Sequence, residues 1–292
     1  MAVDTMRLEA AAPATRRFRT LKRIRRNKLV VFGGALVTLL ILCAIFAPVL
    51  APYSPYDQHN VDQLLPPGGK YPLGTDEFGR DMLSRVLFGA RISIQVAAIS
   101  VSIGLIVGGV LGLVASYFGG VWDLVIMRLA DILFAFPAIL LAIAILALLG
   151  PSLANVMIAI GIIFLPIFTR VVRAAGLVIS HEQYVEASRA SGAAPLRIML
   201  RHMLPNALPP ILVQTTLAIS YAILSEAALS FLGLGAQPPE PSWGTMLNTG
   251  RGFMSFAPWT GIVPGAAIFL AVLGFNVLGD GLRDILDPRL KV

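Results

Sequence analysis

Six stretches of this chain are apolar enough and nearly long enough to fill a bilayer, and they constrain its fold more than any other feature. Hydrocarbon about 30 Å thick takes about 20 residues of helix, since every backbone N–H and C=O inside it must be satisfied within the segment. The runs are residues 29–50, 92–116, 132–149, 153–168, 208–224 and 259–278. The fourth and fifth are short, so helices there must extend into flanking residues such as Arg170 or Glu226. Composition agrees: 57% of residues are apolar and 13% charged, against about 45–50% and about 25% in a soluble domain. A chain so poor in polar surface is not a water-soluble globule, nor is it disordered, a coiled coil or a disulfide scaffold. The single Cys43 excludes an intrachain disulfide, and in an apolar run a small buried thiol is its simplest reading.

The first run follows a head with nine basic residues and is about twice the length of a signal-peptide core, so it is expected to stay as an anchor. Leu42 precedes Cys43 where a lipoprotein site would want a small residue. With six spans and a cytoplasmic N-terminus, 18 basic residues fall inside and five outside, which places both termini in the cytoplasm. Lys70, Arg80, Arg85 and Arg91 fit this split less well, because they lie in the loop assigned outside. Five acids share that loop, but the rule counts positive charge and not net charge.

Several residues within the spans stand out. Gly104, Gly108, Gly112 and Ser116 recur every four residues and would form a flat stripe; it reads either as a tight helix contact beside a translocation path or as the ordinary glycine richness of membrane helices. Pro137 and Pro166 lie inside spans, where each frees a carbonyl and bends the helix. Glu226 is the carboxylate placed deepest in an apolar stretch, near the outer end of the fifth span, where a pathway or gating role competes with a hydrogen bond that holds the bundle.

Residues 171–207 form the longest cytoplasmic connection. A short helix is expected over 181–190, broken by Ser191 and Gly192, and a second from Pro195 to just before Pro205. On the second, Leu196, Met199, Leu200 and Met203 share one face, with Arg197 and Arg201 beside it. By pattern alone this is an interfacial helix on anionic lipid or a docking element for a soluble partner.

Residue identity separates the two. Glu186-Ala187-Ser188, three residues, Gly192, nine residues, then His202-Met203-Leu204-Pro205 resembles the EAA loop of bacterial ABC importer permeases. Ser188 stands for the second Ala of that motif and His202 for its Ile, and with Asn206 these departures resemble the peptide-importer branch. Residues 73–81 (LGTDEFGRD), 225–235 (SEAALSFLGLG) and 276–284 (NVLGDGLRD) look like further segments of the second, C-type permease of dipeptide and oligopeptide importers. The resemblance covers residues 29–290.

That resemblance implies an all-α membrane protein with six transmembrane helices, the type I importer permease (MetI-like) fold and a cytoplasmic coupling-helix loop. Its organisation would be a basic tail over 1–28, a first helix with external loop over 29–91, a five-helix core over 92–280 and a C-terminal tail over 281–292. Glu186, Ala187, Ser188, Gly192, His202, Leu204 and Pro205 would couple the loop to an ATPase, with Glu226 as a pathway or gating residue. Glu186 would either pair with a basic group on the ATPase or cap a local turn. Implied partners are a second, similar permease, two cytoplasmic ATPase subunits, an extracytoplasmic solute-binding protein and membrane lipid, the last for the basic tail. The cargo would be a dipeptide or oligopeptide, with nickel, glutathione or another small solute as the alternative. No cofactor is expected on this chain, ATP and Mg belonging to the partner subunits, because none of its four lysines stands in a phosphate-binding loop. Three scattered histidines offer no metal site, the basic residues are explained by topology and not by nucleic acid, and an ion-coupled carrier would want paired charges at mid-membrane.

Overall fold

The computed structural model describes residues 27–286, and every element within them is helical, with no strand. The basic tail therefore lies almost wholly outside the described residues, as do the last residues of the C-terminal one. Helix α1 spans Lys28–Ile45, opened by Asn27, whose side chain accepts from the N–H groups of Leu29 and Val30. It ends at Phe46, and a single turn Ala47–Leu50 with a proline in its first positions follows, so the first apolar run is bent and not one rod. Helix α2 spans Met82–Phe118, starting ten residues before the apolar run at 92 because Asp81 caps it through the Ser84 N–H.

The third apolar run is not a single span. Helix α3 covers Gly120–Phe134 and α4 covers Ala138–Leu149, and the two meet at 88°. Pro137, expected as a bend inside a helix, instead stands at the N-cap of α4, and the apolar helix before it begins at Gly120, not at 132. A proline in that position ends a helix outright, because the residue before it is steered out of the α region. Pro166 does the opposite: α5, Leu153–Ser180, runs through it unbroken.

Helix α6 covers Gln183–Ala190. After it come a turn of α-helix at Pro195–Ile198, a π-helical stretch at Met199–Met203, and α7 at Leu204–Phe231. The expected stop before Pro205 is absent. Pro205 lies in the first turn of α7, directly after the π stretch, and helix continues through it from Pro195 to Phe231. Helix α8, Trp243–Gly250, has no counterpart among the apolar runs; a reciprocal Ser242 and Thr245 capping box starts it. Helix α9, Trp259–Leu286, continues six residues into the segment assigned to the tail. Five helices are long and apolar enough to cross a membrane, or six if α3 and α4 count as one span.

Two seams hold the bundle. On the first, α2 packs parallel to α5 through the glycine stripe. A Cβ on Gly108 would lie 2.6 Å from the Leu165 carbonyl oxygen, and one on Gly112 2.6 Å from that of Thr169. Gly104 and Gly176 are as close to Phe164 and Ser116. The stripe is thus a helix contact, made by backbones that touch where side chains are absent. On the second seam α1 lies on α9, with Gly281 against Val30 and Gly274 against Leu36. Cys43, on α1, is half-buried.

The bundle has a basal end, carrying α6 and the π stretch, and a distal end, carrying α8 and the folded loop 51–81. That loop has its own ionic core. Arg80 Nε lies 2.6 Å and Arg85 Nε 3.4 Å from Asp76 Oδ2, and Lys70 Nζ lies 2.9 Å from Asp62 Oδ2. Three of the four cations that fit the charge split poorly are thus committed to ion pairs within the loop. Hydrogen bonds from Lys70 and Tyr71 hold the Asp62 carboxyl below the usual carboxylate range, while burial and the neighbouring Asp76 push Glu77 above it. Trp259 Nε1 donates to the Thr75 carbonyl at 3.1 Å and fastens the loop to α9.

Candidate functional site

The basal loop is built on a small apolar core of its own. Val185, Ile198, Met199, Met203, Ala207 and Ile211 pack with Leu113 of α2 and Val172 and Ile179 of α5. The inward face therefore includes Ile198, while Leu196 and Leu200, expected beside Met199 and Met203, are 64% and 52% exposed. The π stretch is the physical reason. Its turn holds more residues than an α turn, so a face counted at 3.6 residues per turn drifts off register across it.

Gly192 sets the angle of the loop. Its φ is +76°, and a Cβ there would meet nothing within 4 Å. The Gly192 N–H donates to the Arg189 carbonyl at 2.9 Å and the Ala193 N–H to that of Ser188 at 3.1 Å. These bonds form the paired cap in which the residue after the helix end must be left-handed. Glycine is required for backbone conformation and not for room.

The two halves of the loop are then tied together. The Ser188 hydroxyl donates to the Tyr184 carbonyl at 2.8 Å and stands 3.5 Å from His202 Nε2. Asn206 Nδ2 donates to Tyr184 Oη at 3.1 Å and to the His202 carbonyl at 2.7 Å. Ser188, His202 and Leu204 are half-buried, whereas Glu186, Ala187, Gly192 and Pro205 are exposed. The Glu186 carboxylate sits in the first turn of α6, where the helix dipole favours it, and accepts no hydrogen bond among the described residues. What remains is a hydrogen-bonded ledge whose outer side leaves Glu186, Ala187, Leu196 and Leu200 exposed among the described residues. Tyr184 and Asn206 brace it, and neither role is marked in the sequence beyond the hint of an Asn after Leu-Pro.

Glu226 lies at the other end of α7, fully buried. Its Oε1 accepts from Ser230 Oγ at 2.7 Å and its Oε2 from Ser93 Oγ on α2 at 3.2 Å. Ser230 Oγ also accepts from the Ala236 N–H at 3.2 Å, and a Cβ on Gly244 would fall 2.7 Å from Ser230 Cβ. Trp243 Nε1 donates to the Val86 carbonyl at 3.0 Å. The carboxylate thus joins α2 to α7 and, through Ser230, to the distal cap. Ser230 is discoverable from its place one helical turn after Glu226. Glu226→Leu is expected to orphan both hydroxyls at about 1–3 kcal/mol each. Glu226→Gln keeps an acceptor, so in detergent the Leu variant should melt several degrees below wild type and the Gln variant close to it.

The fold defines a class, that of multi-pass helical membrane proteins, and comparison with known proteins gives the family within it. Residues 87–292 match the binding-protein-dependent transport system inner membrane component family, and residues 16–67 match the N-terminal transmembrane domain of oligopeptide transport permease C. The chain belongs to the first of these families; it is a multi-pass inner-membrane permease subunit of an ABC importer and not an enzyme. It is 50% identical over 270 residues to the dipeptide transport system permease protein DppC of Alkalihalophilus pseudofirmus, covering 92% of this chain and 89% of that one. It is 49% identical to the di/tripeptide permease DppC of Pseudomonas aeruginosa (91% and 89%) and 48% to the glutathione permease GsiD of Escherichia coli O157:H7 (92% and 89%). Two inward-facing structures of the MetNI methionine ABC transporter share the fold, with TM-scores of 0.57 and 0.58 at 19% and 20% identity. Each covers 70% of this chain and 98% of its own. Membership implies in general a partner permease, an ATPase and a binding protein.

Proposed function

We propose that this chain is the second permease of an importer for dipeptides or short oligopeptides, forming one path with a similar but distinct permease. The DppC relatives at 49–50% identity support the cargo, and GsiD at 48% makes glutathione, itself built of three residues, the competing solute. The charge split supports cytoplasmic termini and a cytoplasmic basal end, with the loop 51–81 and α8 facing an extracytoplasmic binding protein. The tail over 1–28 would rest on anionic lipid.

The observation that carries the coupling role is the ledge: apolar side chains held outward on a braced, cytoplasmic surface and exposed among the described residues. Two ATPase subunits, holding the ATP and Mg, would seat this ledge and its counterpart. Closure on ATP can move the bundle only through contacts that differ between states. Glu186, Ala187, Ser188, Gly192, His202, Leu204 and Pro205 belong to that contact or shape it, Glu186 by meeting a basic group of the ATPase. ATP binding would favour the outward-open path and hydrolysis would restore the inward-open one.

Purification from gentle detergent is expected to bring down a second permease and two ATPases, and proteoliposomes with the cognate binding protein should take up labelled dipeptide only with ATP inside the ATPase compartment. Recovery of the chain alone, or uptake of glutathione in preference to dipeptides, would overturn the assembly and the cargo respectively.

A further inference from the structure

The break between α3 and α4 exposes what a lipid-facing span cannot. Phe134, Ala135, Phe136 and Pro137 are all exposed. Pro137 caps α4 without a side-chain hydrogen bond, so the N–H groups of Ala138, Ile139 and Leu140 have no partner within the helix. Hydrocarbon supplies none, and irregular backbone at membrane depth persists only against protein or beside water.

The same face carries charge. Arg170 Nη2 donates to Asp131 Oδ1 at 2.6 Å, and its guanidinium lies 4.2 Å from the centre of the Phe134 ring. The two side chains stay 45% and 48% exposed, whereas the neighbouring Arg173 and Asp123 pair is at 29% and 24%. Arg128, one turn before Asp131, is exposed and makes no ion pair among the described residues. Arg170 lies 17 residues along α5 from Leu153, roughly 26 Å at 1.5 Å per residue, which is the basal boundary of hydrocarbon about 30 Å thick, whereas the break at 135–137 lies only the 12 residues of α4 from its distal end, roughly 18 Å.

We infer that Arg128, Asp131, the break at 135–137 and Arg170 form a wall of the water-filled translocation path, and that the Asp131 and Arg170 pair receives the charged ends of a zwitterionic peptide. An ammonium can take the place of Arg170 at Asp131, and a carboxylate the place of Asp131 at Arg170. The exchange breaks the one charge-assisted hydrogen bond of the pair and the peptide ends' bonds to water, and forms two charge-assisted bonds to the peptide. Passage is then near balance, as a path needs, and the site is no trap. The wall stands without the peptide reading; only the pair's cargo rests on it.

Cys43 is the chain's only cysteine, so Cys43→Ala gives a thiol-free background. In the assembled importer, Ala135→Cys on that background is expected to react with a sulfonated, membrane-impermeant methanethiosulfonate in inside-out vesicles, and saturating dipeptide should slow the reaction. Reaction only with an apolar maleimide would put the break in lipid, and reaction with neither until denaturation would bury it against the second permease; either overturns the wall. Asp131→Asn with Arg170→Gln should lower dipeptide uptake about ten-fold, equivalent to one lost charge-assisted contact, with Ala135→Cys labelling intact. Unchanged dipeptide uptake in that double variant would overturn the receiving role. If the wild-type importer takes up no dipeptide at all, the cargo reading fails while the labelling still decides the wall.

Discussion

Gly192→Val should abolish solute uptake while leaving the amount of protein in the membrane unchanged. At φ +76° with open space around it, this position resists a β-branched side chain through its backbone alone, at about 1–3 kcal/mol. The cheapest escape is to unwind the cap at the end of α6, which turns the ledge away from its seat. Gly192→Asn separates this account from one based on bulk. Asparagine is larger than glycine yet tolerates the left-handed region, so it should retain most of the uptake. Equal loss in both variants would mean that size at the ledge, and not the cap, is what matters.

The second large effect lies in the seam of α2 and α5. Gly108→Leu would drive a side chain into the Leu165 carbonyl, a backbone atom that cannot swing aside, whereas a Cβ on the adjacent Gly109 would meet nothing within 4 Å. Overpacking typically costs about 1–3 kcal/mol where side chains can shift, and here two helices must part along their length. Gly108→Leu is expected to be degraded or recovered only as aggregate, and Gly109→Leu to accumulate and transport normally. Comparable membrane levels of the two, measured by blot and by gel filtration in mild detergent, would show that the seam is looser than its geometry.

Much of this architecture is legible from residues because lipid makes simple demands. Span number, the glycine stripe and the αL break at Gly192 each follow from a single requirement: filling the hydrocarbon, letting backbones touch, or reversing a helix. Where two local signals compete, residue counting fails. Pro137 and Pro205 are both prolines at helix starts, yet their surroundings in the sequence point to an internal bend for one and a stop for the other, since sequence does not reveal whether the preceding residue closes a helix. The exposed positions of Leu196 and Leu200 are hidden for a different reason. A π turn leaves no mark in composition, and heptad-like counting across it points to the wrong face. The partners of Glu226 come from α2 and α7, so only Ser230, one turn away, is within reach of pattern; Ser93 is 133 positions distant.

The unbroken helix from Pro195 to Phe231 also governs how this segment can change in length. Most surface connections absorb an inserted or deleted residue by reshaping a turn. Here, one residue gained or lost would rotate everything beyond it by about 100°, swinging Glu226 away from Ser93 or the ledge away from its bed. The π stretch at Met199–Met203 already carries one residue more than an α turn. A single deletion there can convert it to ordinary α-helix and spare both ends, so the rod has room in its length for a loss at that one place and for a gain at none.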